Sequence, residues 1–316
     1  MSLLLAFLAD LCFGDPEYWY HPVRLMGRSI EQGEIFLRRH ILPEKLAGAL
    51  LAVVFPLLVF GFLWILLFGA GKIHPLLAQL FNILGIYTAI SIHDLKKEGQ
   101  KIFDDLGSKN LEKAKSDLAR IVGRDTDHLD EKEIVRAAVE TVAESTVDGV
   151  IAPLFYTALG GAPLALAYKA VNTLDSMIGH LSERYRDFGF VAAKQDYWVN
   201  WLPARLAYGL IGLAAFLTKA RTSSAWQTGW KDGVLSGENS SIPEAAFAGA
   251  LGVRLGGSNS YQGKVVEKSF LGTPDRPLDP PVIRESIRLM VTVSWLTLFL
   301  CLLINYGFQI YVSKIG

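Results

Sequence analysis

Charged side chains are missing from three long stretches of this chain and crowded between them. Leu46 to Ala70 runs 25 residues without a charge, and Leu289 to Val312 runs 24. A helix needs about 20 apolar residues to cross the hydrocarbon of a bilayer, so each run predicts a membrane span. A third run, Ile73 to His93, is interrupted only by two imidazoles, and Gly71 and Lys72 separate it from the first by too little chain for a domain. The pair predicts a helical hairpin. One such helix could be the buried core of a soluble fold, but three within 316 residues point to a bilayer.

Two further apolar regions are irregular. Val150 to Ala170 contains Pro153, Gly160, Gly161 and Pro163, which predicts two half-helices of about ten residues, roughly 15 Å each, in place of one continuous helix. Irregular backbone at that depth is tolerated only beside protein or a water-filled cavity. The half-helices should return the chain to the side it left. Val199 to Thr218 contains Pro203 and Arg205, and an arginine at the centre of a span costs about 2.5–3.5 kcal/mol on insertion scales. That segment is therefore either not a simple span or gives Arg205 a ligand or carboxylate partner.

Polar stretches fill the rest: Asp15 to Lys45, Asp94 to Asp148 and Lys219 to Arg288. The first two flank the hairpin and are rich in Lys and Arg, which predicts a shared, cytoplasmic side. The N-terminal stretch Ser2 to Gly14 lacks a basic start and a small-x-small cleavage site, so it reads as retained. With no repeat or flexible linker, residues 1–316 read as one membrane-embedded domain. The expected fold is an all-α integral membrane protein. It should have about four to five transmembrane helices, a broken or re-entrant segment among them, and long polar helical loops.

Composition agrees: 51% of residues are hydrophobic and mean hydropathy is +0.30. The 31 basic residues are balanced by 31 acidic ones, which removes the positive field that nucleic acid would require. Membrane lipid is the expected surrounding. Cys12 and Cys301 lie in apolar segments without CxxC spacing and read as small buried hydrophobes.

The richest polar pattern is Asp130 to Gly149. Asp130 and Glu133 have capping-box spacing and predict a helix start. Val135, Val139 and Val142 then form an apolar face, while Glu140, Glu144 and Asp148 recur at i,i+4 on the opposite side. Such a carboxylate series can hold Mg²⁺ or act as general acid and base. For Glu140 the blander reading is preferred, a solvated face offset by Arg136, whereas Asp148, beside the broken segment, reads as functional. Asn172, Asp175 and Ser176 form a polar face that can line a cavity or simply cap a helix. Ser241 to Gly257 predicts a helix opened by a Ser241–Glu244 capping box and stopped by Gly256 and Gly257. Its start, near Gly237 and Asn239, could hold an anion, or its small residues could serve only close packing. His21 with Arg24, and Arg124 with Asp125, are weaker pairs. Walker A, GxGxxG, HExxH and GxSxG patterns are absent.

Taken in order, FGDPEYW, YHPVRLMGR, VGRDT, ETVAESTVDGVIAPLFY, GGAPLALAYKAVNTLDSMIG, PARL and EAAFAGALGVRLGG resemble the CbiB/CobD family of cobalamin biosynthesis over about Leu5 to Met290. The resemblance implies an adenosylcobinamide-phosphate synthase. Such an enzyme carries out an ATP-dependent ligation of adenosylcobyric acid to aminopropanol phosphate or a related amino alcohol. It implies ATP and Mg²⁺ as cofactors, and a corrinoid and a phosphorylated amino alcohol as partners. Catalytic roles would fall to Glu144, Asp148, Asn172, Asp175, Asp196 and Arg205. Cofactor binding would fall to Asp15, His21, Arg24, Arg124, Asp125, Asn239 and Glu244, with metal at Asp148 and Asp175. The chain departs from the family pattern at Ser145, where Asn is usual. It also departs at Lys194, Gln195 and Tyr197 around Asp196, and over Gly237 to Ile242, where Asn239 is retained.

Two other classes fit parts of the pattern. A transporter would share the broken helix and the intramembrane arginine, but should show a second interrupted segment in an internal repeat. A noncatalytic membrane paralogue would bind a corrinoid without product formation.

Overall fold

The computed structural model describes residues 1–15, 21–41, 43–180, 182–261 and 263–315. Pro16 to Tyr20, the end of the FGDPEYW motif and the first residue of YHPVRLMGR, lie outside the described residues. Contacts divide the chain into two compact units, each assembled from segments distant in sequence. The first comprises residues 1–91, 148–202 and 298–316, and the second residues 92–147 and 203–297.

The first unit contains α1 (Ser2–Phe13), α2 (Pro22–His40), α3 (Glu44–Ile73), α4 (Pro75–Tyr87) and α8 (Ala152–Ile178), with the start of α9 (Phe190–Leu217). The apolar pair α3 and α4 is the predicted hairpin, turning at His74, whose ring accepts from Leu76 N at 3.2 Å and caps α4. α2 differs in kind: it is amphipathic, mixing apolar with charged residues. It buries Met26 and Ile30 and leaves Arg38, Arg39 and His40 near its C-terminal, negative dipole end. Ile30, Ala47, Leu51, Leu174, Ile178 and Phe188 form one core, and Met26, Ala89, Ala165, Leu166 and Ala170 another. Gly48 allows a close approach in the first: a Cβ there would lie 1.8 Å from the Phe188 carbonyl oxygen. Cys301 is buried as expected, but Cys12 is exposed, because the last turn of α1 presents it outward.

Among the described residues, four helical stretches are long and apolar enough to cross a membrane: Glu44–Ile73, Pro75–Gly107, Glu131–Ile178 and Pro280–Gly307. The third does not run straight through. Gly160 and Gly161 leave helical geometry, and Gly161, at φ +66°, adopts a conformation that side-chain-bearing residues avoid. The Ala162 N–H freed by the break donates to Asn82 Oδ1 of α4 at 2.9 Å. Beyond it the chain folds back, so that Tyr156 stacks on Tyr168 with centroids 5.1 Å apart and Asn172 meets Asp148. Asp148 and Asn172 each lie roughly 12 residues from the break, about 18 Å, short of a hydrocarbon core of about 30 Å. This is the re-entrant segment expected from Pro153, Gly160, Gly161 and Pro163.

The second unit contains α5 (Ile92–Gly107), α6 (Leu111–Ala119), α7 (Glu131–Thr146), α10 (Thr222–Thr228), α11 (Ser241–Leu251) and an antiparallel hairpin of β1 (Leu255–Tyr261) and β2 (Lys264–Leu271). The N-terminal half of α12 (Pro280–Ile315) also belongs to it, and the C-terminal half to the first unit. The Asp130–Glu133 capping box forms with both of its hydrogen bonds. The one expected at Ser241 and Glu244 does not. The N-cap is Ser240, the Ser241 hydroxyl donates to Glu238 at 3.1 Å, and Glu244 is buried. Nor do Gly256 and Gly257 stop that helix. Gly252, in the left-handed region at φ +67°, ends α11, and the glycine pair enters β1 opposite a bulge.

Candidate functional site

Each unit holds a group of buried polar side chains, and the two are built differently. In the first unit the group begins at a single wide π-turn, Val147–Ile151. Such turns are rare inside helices and cluster at functional sites. The turn takes Asp148 out of the phase of Glu140 and Glu144, so the predicted i,i+4 carboxylate series does not continue through it. Asp148 instead meets the returning limb of the re-entrant segment. Asn172 Nδ2 donates to its Oδ2 at 3.1 Å, and Lys169 Nζ donates to its backbone oxygen at 3.3 Å. The Tyr168 hydroxyl lies 3.3 Å from Asp148 Oδ1 and 3.0 Å from Asn200 Oδ1, and its one proton can go to either. Asn200 Nδ2 in turn donates to both oxygens of Asp196, at 3.1 and 3.0 Å. Asp148, Asp15 and Asp196 all act on the Lys169 ammonium through their charge. Asp15 also sits 3.2 Å from His21 Nε2.

Of the six catalytic candidates, Asp148, Asn172 and Asp196 therefore come together. Asp175 lies one turn beyond Asn172, its backbone oxygen capping the helix through Gly179 N at 2.7 Å. Its carboxylate is packed so closely on Gly179 that a Cβ there would fall 2.0 Å from Oδ1. Asp15 and His21 join the group and Arg24 is exposed on α2. Lys169, Tyr168 and Asn200 were not among the candidates. A signal for Lys169 was present: it is the sole charged residue between Asp148 and Asp175.

Among the described residues, no three His, Cys, Asp or Glu side chains converge to hold a metal by themselves. Mg²⁺ asks for less. It is commonly held by one or two carboxylates, with water and phosphate oxygens completing its shell. Asp148 and Asp196, both half-buried and close enough for each to act on the other, offer hard oxygen donors of that kind. The donor set fits Mg²⁺.

An apolar cavity of about 400 Å³ adjoins this group, with Pro56, Phe60, Tyr156, Leu164, Tyr168 and Gln195 in its wall. Another, of about 540 Å³, lies among α2, α3 and α4 and is lined almost wholly by Leu, Phe, Val and Met side chains.

In the second unit, Arg124 pairs with Glu140 and donates to Asn259 Oδ1. The other Glu140 oxygen accepts from Gly256 N at 2.8 Å. Arg136 donates to the backbone oxygen of Gly256, to that of Ser258 at 2.9 Å and to the side-chain Oδ1 of Asn259 at 3.2 Å. The reading of Glu140 as a solvated residue offset by Arg136 is thus corrected. Glu140 is 4% exposed and its cation is Arg124, because α7 is covered by β1 on that side and Arg136 is drawn to the strand carbonyls. Asp125 binds the tip of the same hairpin through Ser260 Oγ at 2.6 Å and Gly263 N at 2.8 Å.

Beside these, Glu244 faces Lys268 at 4.0 Å. Burial pushes the Glu244 carboxyl up to about 8. Lys268 and Arg124 oppose that rise, and Glu144 and Glu140 reinforce it. Burial alone lowers Lys268, but Glu244, Glu144 and Glu140 outweigh it and raise the ammonium above its ordinary value. Glu144 itself is exposed. Arg205, half-buried, donates to Asn239 Oδ1 at 3.2 Å, which joins two of the residues singled out in the sequence.

The fold and this site define an all-α integral membrane protein with a polar centre at the mouth of a re-entrant helical hairpin. The description "CobD/Cbib protein" matches residues 3–290, and the chain belongs to that family. It is 46% identical over 299 residues to a cobalamin biosynthesis protein CobD of Geobacter metallireducens, covering 94% of each chain. It is 44% identical to one of Klebsiella pneumoniae, over 97% of this chain and 98% of the relative. With a cobalamin biosynthesis protein CbiB of Salmonella typhi the identity is 42%, with the same coverage. No solved structure matches. Its role lies in cobalamin biosynthesis.

Proposed function

We propose that the chain is an acid–amine ligase that joins a propionate of adenosylcobyric acid to the amine of aminopropanol phosphate, or a related amino alcohol, with consumption of ATP. The product is adenosylcobinamide phosphate. The observation that carries this reading is the gathering of Asp148, Lys169, Asn172 and Asp196 where the re-entrant segment returns. An ammonium among carboxylates, at the end of an apolar hairpin, suits a reaction that brings an anionic phosphoryl group to an acid and then an amine to the activated acyl carbon.

A carboxylate is a poor electrophile. Its oxygen takes the terminal phosphoryl group of ATP, ADP leaves, and the amine attacks the resulting acyl phosphate. The C–N bond forms, the C–O bond to phosphate breaks, and inorganic phosphate departs. Lys169 is placed to hold a phosphoryl oxygen, as ammonium groups do in many phosphoryl-transfer sites. The attacking amine must be neutral, and its proton passes to a carboxylate, Asp148 or Asp196. Tyr168 and Asn172 orient Asp148, and Asn200 orients Asp196. Mg²⁺ would be held by Asp148 and Asp196 and would supply neutralisation of the ATP phosphates. The Lys- and Arg-rich loops flanking α3 and α4 support a cytoplasmic side for the polar loops in the cell membrane.

The test is incubation of purified protein with adenosylcobyric acid, ATP, Mg²⁺ and candidate amines, with mass detection of the amide. Amide formed only with ATP supports the ligase. Corrinoid binding without product would instead make the chain a noncatalytic member of its family.

A further inference from the structure

The cavity beside the Asp148 group has a composition that selects its occupant. Its wall is apolar and aromatic over α3, α8 and α9, and it opens past Val53 and Leu57, on the outward side of the membrane-spanning helix α3. An acyl chain would match such a wall were it not for Gln195. The Gln195 Oε1 atom is buried and has no hydrogen-bond partner among the described residues, and an amide oxygen left unpaired in an apolar surround is costly. The occupant therefore brings one hydrogen-bond donor on an otherwise apolar body. At about 400 Å³ the cavity admits an arm of a large ligand but not a whole macrocycle. Tyr156 and Tyr168, stacked on each other, give it a flat aromatic side, and the Tyr168 hydroxyl reaches Asp148 and Asn200 at the polar end. An arm seated there would fix the rest of the ligand against the reacting groups.

We infer that this cavity is a carboxamide subsite: it receives a neutral primary-amide arm from the rim of the corrinoid, whose N–H donates to Gln195 Oε1. This rests on the corrinoid substrate of the proposed ligase reading, since the rim of adenosylcobyric acid carries primary amides among methyl groups. It makes Gln195 a specificity-determining residue that separates amidated corrinoids from those whose rim bears carboxylic acids. A carboxylate arm has no donor at neutral pH and would put two acceptors face to face in an apolar wall.

The experiment measures corrinoid binding directly, by quenching of intrinsic tryptophan fluorescence in detergent-solubilised full-length protein, without ATP or amine. Wild type is expected to bind cobyric acid at least tenfold more tightly than cobyrinic acid, its counterpart with acidic arms. In Gln195→Met, which keeps shape and loses the acceptor, cobyric acid should bind about tenfold more weakly and the preference should collapse. In Gln195→Glu, which keeps an acceptor oxygen, it should largely return. Equal affinity of wild type for the two corrinoids, or an unchanged preference in Gln195→Met, overturns the subsite. Melting curves of both variants identify loss through unfolding. If Gln195→Met does not fold, Gln195→Leu, which also loses the acceptor, takes its place with the same expected collapse of preference. Amide formation is assayed separately. Turnover with an unchanged Gln195→Met preference removes the subsite and leaves the ligase, and a Gln195-dependent preference without turnover does the reverse.

Discussion

The Asp148 group and the Arg124 group are both buried, both charged and both fed by loops rich in motif residues, yet they use their hydrogen bonds in opposite ways. Arg124, Arg136 and Glu140 point at fixed partners, above all the backbone of β1, and the result is a clasp between α7 and the hairpin. Around Asp148 the contacts are longer, at 3.0–3.5 Å, one tyrosine proton is shared between two acceptors, and one ammonium answers to three carboxylates. A group whose partners are a strand's own backbone and its own internal ion pair is committed to structure. A group of side chains that can exchange partners retains capacity for a substrate.

Four measurements would break or sharpen that contrast. The largest effect should come from the clasp. Arg124→Leu leaves Glu140 charged and buried, and the penalty for an orphaned buried ion is about 3–5 kcal/mol. Thermal unfolding in detergent should show a large drop, and a melting curve unchanged from wild type would make the pair dispensable. Next, Asp148→Asn keeps shape and hydrogen bonds but removes the charge. Turnover should fall at least about a hundredfold, on the order of 3 kcal/mol, with folding intact. Loss of folded protein would move Asp148 to the structural side of the contrast, and near-normal turnover with unchanged Mg²⁺ dependence would remove it from the mechanism.

The third concerns pH. Folded Glu244 keeps its proton up to about 8, while the unfolded chain releases it near 4.5, so the folded state binds more protons between those values. The stability contributed by this residue should be fully present below 4.5 and be lost as pH rises through about 8. Glu244→Gln should flatten that slope in pH-dependent melting. A slope that persists unchanged would show that Glu244 is not its source. The smallest effect belongs to Asn82→Leu, which deprives the Ala162 N–H of its acceptor. The expected loss is about 1–2 kcal/mol of stability, with local hydrogen exchange at the break rising above wild type. Exchange at Ala162 equal to wild type would show that water replaces Asn82 there.

The membrane elements were legible because a span is a matter of length and missing charge, and α3, α4 and α12 show both. The capping box at Asp130 and the break at Gly160 and Gly161 were legible for local reasons: one needs two side chains three residues apart, the other needs residues that abandon helical geometry cheaply. What failed to read was set by distance. Nothing near Glu140 announces that its cation is Arg124, 16 residues back, or that Gly256 donates to it from 116 residues on. The hairpin was hidden because β2 is exposed along nearly its whole length and so shows no alternation of apolar and polar positions. Lys169 and Tyr168 join Asp148 only because the chain turns back, so a motif reading that ranked residues by local pattern passed over both. The π-turn has no residue signature at all. Its cost is offset by what Asp148 meets on the far limb.

The Asn82 contact also orders events during synthesis. Asn82 emerges 80 residues before Ala162, which at about 5–20 residues per second is roughly 4–16 s ahead. By the time the glycine pair reaches the bilayer, α4 can already be inserted with its amide oxygen in waiting, so the broken backbone meets its acceptor on arrival. Vectorial insertion makes this favourable in one direction only. A circular permutant that delivered the re-entrant segment before α4 would leave that N–H exposed to lipid for the whole interval.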